Sequence, residues 1–214
     1  MVKMFVHSIK VGMLATNCYI IYMREGGDAL VIDPGADAKR ILEYIDLKHL
    51  KVSNIILTHG HFDHILAAGQ VKEATGARVI IHAYEADSLR ESKPSMYLSI
   101  ADEPYRTCEP DVLLYGGEKT RFGETDVLFL CTPGHTTGSM CVLIDDMLFS
   151  GDTLFKGDCG RTDLAKGSPE EMEKSLRFLY NLKGNYKVYP GHDDETTLQE
   201  ERESNPYMQM AVLK

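Results

Sequence analysis

The order of strands and helices predicts an α/β protein made of two βα halves packed sheet to sheet, with helices outside. Three observations carry this expectation. A series of β-rich runs followed by strand–helix units occurs twice along the 214 residues. Asn54–Leu57 is a short apolar run of the kind buried on both faces. Turn and capping residues fall at the junctions between runs, where a change of element needs them.

In the first half, Met4–Ile9, Cys18–Met23 and Ala29–Ile32 read as strands, with Gly26-Gly27-Asp28 as the turn between the last two. Asp33-Pro34-Gly35 stops the third strand. Asp37 can cap a helix running to about Leu47, with Ile41, Leu42 and Ile45 on one face. After Asn54–Leu57 come a helix from about His64 to Thr75 and a strand at Arg78–Ile81. Ser88–Pro110, with Pro94, Pro104, Tyr97 and Tyr105, reads as a long surface excursion, either functional or an ordinary loop with a little helix. In the second half, Val112–Tyr115, Lys119–Phe122, Asp126–Leu130, Ser139–Ile144 and Met147–Phe149 are strand candidates, and Asp145-Asp146 suits a hairpin turn. Ser168-Pro169-Glu170-Glu171 announces a helix to about Leu182, because Ser168 can cap, Pro169 fits the first turn and Glu171 completes a capping box. A strand at Lys187–Tyr189 and a charged helix from Thr196 to Glu203 follow. The length suits one domain over residues 1–214, although a pseudo-repeat of two layers also fits.

The chain is 43% hydrophobic and 26% charged, as in an ordinary soluble protein. Its formal net charge of -9 argues against nucleic acid or an anionic membrane as the main partner. No apolar run approaches the roughly 20 residues that span a bilayer, and the N-terminal stretch does not read as an export signal. Cys18, Cys108, Cys131, Cys141 and Cys159 are odd in number and scattered, which fits a reduced, cytoplasmic compartment.

Chemistry concentrates just past the strand ends. Thr58-His59-Gly60-His61-Phe62-Asp63-His64 follows the buried strand and packs three histidines and an aspartate into six residues. Pro133-Gly134-His135-Thr136, Ser150-Gly151-Asp152-Thr153 and Pro190-Gly191-His192-Asp193 each place one His or Asp beside a glycine after a strand. Loops leaving strand ends are where α/β proteins carry ligand-binding groups. Each short string is weak alone, but together they supply five histidines and two aspartates: His59, His61, Asp63, His64, His135, Asp152 and His192. One catalytic zinc takes about three protein ligands plus water, so this set suits two ions. Asp152, with two carboxylate oxygens, is the natural bridge. Ions about 3.5–4 Å apart can hold a hydroxide between them as nucleophile. The donor set suits zinc first, with iron or manganese also fitting.

THGHFDH, PGH, SGD and YPGH, in this order, resemble the metallo-β-lactamase superfamily over about Asn17 to His192. The resemblance implies an αββα sandwich of two packed mixed β-sheets. It implies a first metal on His59, His61 and His135, a second on Asp63, His64 and His192, and Asp152 between them. Within the superfamily, Gly151–Phe155, Cys159-Gly160-Arg161 and PGHTTGS look most like the glyoxalase II-like branch. That branch hydrolyses glutathione thioesters such as S-lactoylglutathione by a metal-bridging hydroxide. On this reading Asp63 and Asp152 are catalytic and Arg161 is a substrate anchor. The partner is then a small-molecule thioester, with no nucleic acid and no membrane. Gly160-Arg161-Thr162-Asp163 also resembles persulfide dioxygenases, which use one iron. Two departures weaken the grip on glutathione. Only 22 residues follow His192, and Asp163 and Asp194 stand where that branch tends to carry tyrosines.

His7, His49 and His82 read as surface or strand-end residues. Cys159 is a reactive thiol or, in preference, a packed small residue. Glu200, Glu201 and Glu203 read as a solvated helix face.

Overall fold

In the computed structural model, which describes residues 3–91 and 105–213, the chain divides into two compact units, Met1–Leu113 and Leu114–Lys214. Residues 92–104, which include Pro94, Tyr97 and Pro104 of the expected excursion, lie outside the described residues.

The first unit holds β1 (Phe5–Val11), β2 (Thr16–Tyr22), β3 (Asp28–Ile32), α1 (Ala38–Leu47), β4 (Lys51–Ile56), α2 (Phe62–Ile65), α3 (Ala68–Thr75), β5 (Arg78–His82) and β6 (Val112–Leu114). Its strands form one six-stranded sheet in chain order. The hairpin pairs β1/β2 and β2/β3 are antiparallel, and β3/β4 and β4/β5 are parallel. The parallel pairs require crossovers, which α1 and the α2–α3 segment supply. Val31, Ile41, Ile45, Ile55, Val71 and Val79 meet in the core of this unit. Asp37 is the residue before α1, as expected, but it adopts a left-handed backbone and makes no side-chain cap. Its carboxylate instead accepts from the Gly12 amide and from Arg40. The single helix expected from His64 to Thr75 is two helices, because the Ala67 amide breaks away to the Pro34 carbonyl at 3.0 Å. A 3-10 helix over Ala83–Leu89 leads into the expected excursion, taking in its first residues Ser88 and Leu89, and Tyr105 rests on it through a hydrogen bond from its hydroxyl to the Ser88 carbonyl.

The second unit holds β7 (Lys119–Phe122), β8 (Thr125–Cys131), β9 (Met140–Ile144), β10 (Met147–Gly151), β11 (Leu154–Phe155), β12 (Asp158–Cys159), α4 (Pro169–Asn181), β13 (Lys187–Pro190), β14 (Thr196–Thr197), α5 (Leu198–Ser204) and α6 (Pro206–Leu213). Its main sheet runs β14-β13-β10-β9-β8-β7, and β11 and β12 form a small hairpin. Asp145-Asp146 is the two-residue turn between β9 and β10, with Ile144 opposite Met147. The pair β10/β13 is parallel, and α4 makes the crossover. Ser168 caps α4 by accepting from the Glu171 amide at 3.3 Å, with Pro169 in the first turn. Leu143, Leu148, Leu176, Leu179, Val188 and Leu198 meet in the core.

The expectation of a solvated Glu201 is overturned. Its side chain is buried and accepts from Thr196 Oγ1, the Gly157 amide and Asn205 Nδ2 at 2.7, 2.8 and 2.8 Å. The carboxylate replaces lost water with three donors. It thereby ties α5 to the turn of the small hairpin. Among the described residues, no helix is long and apolar enough to cross a membrane.

Candidate functional site

The first unit gathers His59, His61, Asp63 and His64 at the end of β4. Strand β4 ends at Ile56, and the chain turns through Thr58–His61 before α2 begins at Phe62. This turn places the His59 ring 4.8 Å from that of His61 and 4.2 Å from that of His64, centroid to centroid. Asp63 sits in the first turn of α2, where its Oδ2 accepts from Thr16 Oγ1 at 3.0 Å and lies 3.5 Å from His64 Nε2.

Asp33, read from the sequence only as the stop of a strand, organises this cluster. It is 1% exposed, and its backbone has φ near 49°. Its Oδ1 accepts from the Thr58 amide at 2.8 Å, and its Oδ2 accepts from the Thr58 hydroxyl at 2.7 Å. The same Oδ2 lies 2.9 Å from His64 Nδ1. Proton accounting then fixes the rings. The Thr58 hydroxyl spends its proton on Asp33, so towards His59 Nδ1, 3.1 Å away, it can only accept. His59 and His64 therefore both carry hydrogen on Nδ1, which leaves Nε2 as the ring atom that can serve as a ligand. Gly35 completes the wrap. A Cβ there would fall 1.6 Å from the Asp63 carbonyl oxygen.

The second unit gathers His135, Asp152 and His192 from the ends of β8, β10 and β13. His135 Nε2 lies 3.3 Å and His192 Nε2 3.6 Å from Asp152 Oδ2. His135 Nδ1 donates to the Arg161 carbonyl at 2.8 Å, so this ring too presents Nε2. The supporting loops are laced together. Thr132 and Thr153 share a hydroxyl hydrogen bond of 2.8 Å, the Gly191 amide donates to the Gly151 carbonyl at 2.9 Å, and Ser175 Oγ donates to the Pro133 carbonyl at 2.6 Å. At Gly160, a Cβ would fall 1.8 Å from the Asp152 carbonyl oxygen and 3.2 Å from His135 Nδ1. Only a glycine lets that segment lie against both residues.

The donor spacing fits metal ligation. Two atoms each about 2.0–2.1 Å from one tetrahedral ion stand about 3.3–3.4 Å apart. The three nitrogen–carboxylate separations, 3.3, 3.5 and 3.6 Å, lie at or just above that value. The ring nitrogens held by Asp33, Thr58 and the Arg161 carbonyl are the outer ones, the arrangement by which metal-bound histidines are oriented.

Other candidates fall in place. The Arg161 guanidinium donates from Nε and Nη2 to the two carboxylate oxygens of Asp163 at 2.7 and 2.8 Å. Cys159 is half-buried against the core of the second unit, and burial, with the Asp158 charge, pushes its thiol up to about 11. That favours the packed residue over the reactive thiol. His82 is a buried strand-end residue whose Nδ1 accepts from the Tyr84 amide, and His7 stacks on Tyr44 at 3.7 Å. Asp33, Thr58, Thr16 and the Arg161 carbonyl are the supporting groups that motif reading missed.

The superfamily model of metallo-β-lactamases matches residues 11–192. An uncharacterized protein of Aquifex aeolicus is 37% identical over 210 residues, 95% of this chain and 97% of its own. The hydroxyacylglutathione hydrolase GloC of Haemophilus influenzae is 30% identical over 216 residues, 96% of this chain and 98% of its own. Among solved structures, the B3 metallo-β-lactamase BLEG-1 superposes with a TM-score of 0.87 at 30% identity, covering 95% of this chain and 99% of that one. The di-iron-bound form of TTHA1623 gives 0.82 at 30% identity, covering 94% and 100%. The fold is therefore the α/β fold of the metallo-β-lactamases. With a family match that takes in every ligand-type residue from His59 to His192, the chain belongs to the metallo-β-lactamase superfamily of metal-dependent hydrolases.

Proposed function

We propose that this protein is a binuclear metal-dependent thioesterase that hydrolyses a small-molecule thioester such as S-lactoylglutathione. The observation that carries the reading is the complete set of seven donors, above all Asp63, His64 and His192 in addition to His59, His61, His135 and Asp152, more than the three or so that a single ion would use. The full-length likeness to GloC supports the thioester as substrate class. His59, His61 and His135 would hold one ion, Asp63, His64 and His192 the other, and Asp152 both. Zinc suits the donors, and the di-iron form of TTHA1623 makes iron a fitting occupant as well. When bound, two such ions supply a water whose pKa falls towards about 7 and positive charge for the carbonyl oxygen.

The chain's own groups do the rest. Asp33 and Thr58 keep the Nε2 lone pairs of His64 and His59 turned towards the reacting side. Asp63, steadied by Thr16, accepts the proton side of the attacking water. Water adds to the thioester carbonyl, the C–S bond breaks, and the products are an acid and a free thiol. No oxygen is consumed. Nothing in the reaction calls for a nucleic-acid or membrane partner, and a cytoplasmic setting suits the free thiols.

A second reading, a one-iron persulfide dioxygenase, rests on Gly160-Arg161-Thr162-Asp163. Thiol release from S-lactoylglutathione under strictly anaerobic conditions separates the two. The proposal expects release at an undiminished rate. Oxygen uptake with glutathione persulfide, and no thioester cleavage, would overturn it.

A further inference from the structure

Strands β4 and β5 are parallel neighbours, so they end on the same side of the first sheet. The end of β4 leads into the turn that carries His59, Gly60 and His61, and the end of β5 leads into the 3-10 helix Ala83–Leu89. That helix is fixed at three places. His82 caps it by accepting from the Tyr84 amide at 3.2 Å, Ala86 and Leu89 enter the core of the unit, and the Tyr105 hydroxyl donates to the Ser88 carbonyl at 3.1 Å. Held in this way, it sets two polar side chains against the ligand turn. A Cβ at Gly60 would fall 2.7 Å from Glu85 Oε2 and 2.7 Å from Ser88 Oγ. Glycine is what lets both oxygens lie there.

Glu85 is 2% exposed. A carboxylate taken this far from water is costly unless donors or positive charge face it. Asp33, 1% exposed, stands under Thr58 and His64 of the same cluster. Two buried carboxylates therefore flank His59, His61 and His64 within one unit. Buried negative charge beside imidazole rings favours a divalent cation among them, because Coulomb attraction is screened less there than in bulk water. We propose that Glu85 is a positioning residue of the metal centre: with Ser88 it backs the Gly60 turn, fixes the separation of His59 and His61, and supplies negative charge to the ion that these two histidines would hold. The role rests on the thioesterase reading for its metal centre and is independent of the ester. Glu85 touches no reacting atom in it and acts through the two histidines.

Titration of the metal-free protein with cobalt(II), followed by absorption spectrum and chelator competition, tests the role without turnover. The cobalt band lost in His61→Ala marks the ion concerned. Glu85→Gln keeps the shape and removes the charge. It should weaken that ion by about 10–100-fold and shift its band, while the other ion and the melting of the metal-free protein stay nearly unchanged. Glu85→Asp, which keeps the charge but draws it back from Gly60, should recover part of the affinity. A weakened and shifted site in a protein that cleaves no thioester still supports the role, and the thioesterase reading alone fails. Wild-type affinity and spectrum in Glu85→Gln would overturn the role. So would an equal weakening of both ions together with earlier melting of the metal-free protein, which marks a residue that only holds the fold. Should Glu85→Gln not fold, Glu85→Asp decides: weaker binding of the marked ion supports the role, and wild-type binding overturns it.

Discussion

Asp33 Oδ2 lies 2.9 Å from His64 Nδ1 while the same carboxylate takes the Thr58 hydroxyl, so one buried side chain sets the orientation of two histidines in sequence. Asn at this position has nearly the same volume but only one acceptor oxygen, so it cannot satisfy the Thr58 amide, the Thr58 hydroxyl and His64 Nδ1 together. Asp33→Asn should keep the fold, judged by circular dichroism, and lose about 10–100-fold in metal affinity in a chelator competition. Thr58→Val, which keeps the shape and removes the relay to His59, should lose less. Wild-type affinity in both variants would show that the relay does not orient the ligands.

Gly160 supports the other cluster by having no side chain. A methyl group there would meet the Asp152 carbonyl oxygen at 1.8 Å, a backbone atom that cannot swing away. Gly160→Ala should lower bound metal and the melting temperature together. Gly76→Ala is the control. Gly76 closes α3 with φ near 70° and has open space around it, so the cost is about 1 kcal/mol of conformational strain with metal content intact.

Glu201 predicts a stability difference between neighbours on one helix. Removing its carboxylate leaves the Gly157 amide short of an acceptor and takes from Thr196 and Asn205 their hydrogen bonds of 2.7 and 2.8 Å, for which the Glu200 carboxylate and the Asp158 carbonyl remain as other acceptors. Glu201→Ala should cost about 2–4 kcal/mol in urea unfolding. Glu203→Ala, on the exposed face of the same helix, should stay within about 0.5 kcal/mol.

Thiol labelling separates the cysteines. Cys18 and Cys141 are buried, and burial raises both thiols, that of Cys141 to about 11. Only thiolate reacts, and its fraction grows tenfold per pH unit until the pKa is reached. In the folded protein at pH 8, a disulfide reagent should label Cys131, the exposed one, first. Cys159 should remain slow until pH approaches about 11. Rapid labelling of Cys159 at pH 8 would restore the reactive-thiol reading.

Much of this was legible in the residues, for physical reasons. Histidines and aspartates beside glycines after strands stand out because these types are rare there without a ligand. Ser168-Pro169 and Asp145-Asp146 announce their elements because caps and tight turns demand particular side chains. Asp33 was missed although it obeys the same grammar, an Asp beside Pro34-Gly35 at the end of β3, because a turn explains it equally well. The carbonyl of Arg161 was invisible, since a main-chain acceptor leaves no trace in residue type. Glu201 was misread because α5 is only seven residues long, too short for periodicity to tell its faces apart. Helix α6 was overlooked although Asn205-Pro206 is a capping signal. Asn205 Oδ1 accepts from the amides of Tyr207 and Met208 at 3.0 and 3.2 Å. The break between α2 and α3 depends on the Pro34 carbonyl, distant in sequence, and so could not be read locally.

The central claim is that seven donors serve two ions. Elemental analysis of protein purified without added metal, paired with Asp152→Ala, tests it most directly. The account predicts close to two divalent ions per chain in the native protein and loss of most of both in the variant, because Asp152 is shared. A native protein saturated at one ion per chain, or an Asp152→Ala variant that retains two, would contradict it.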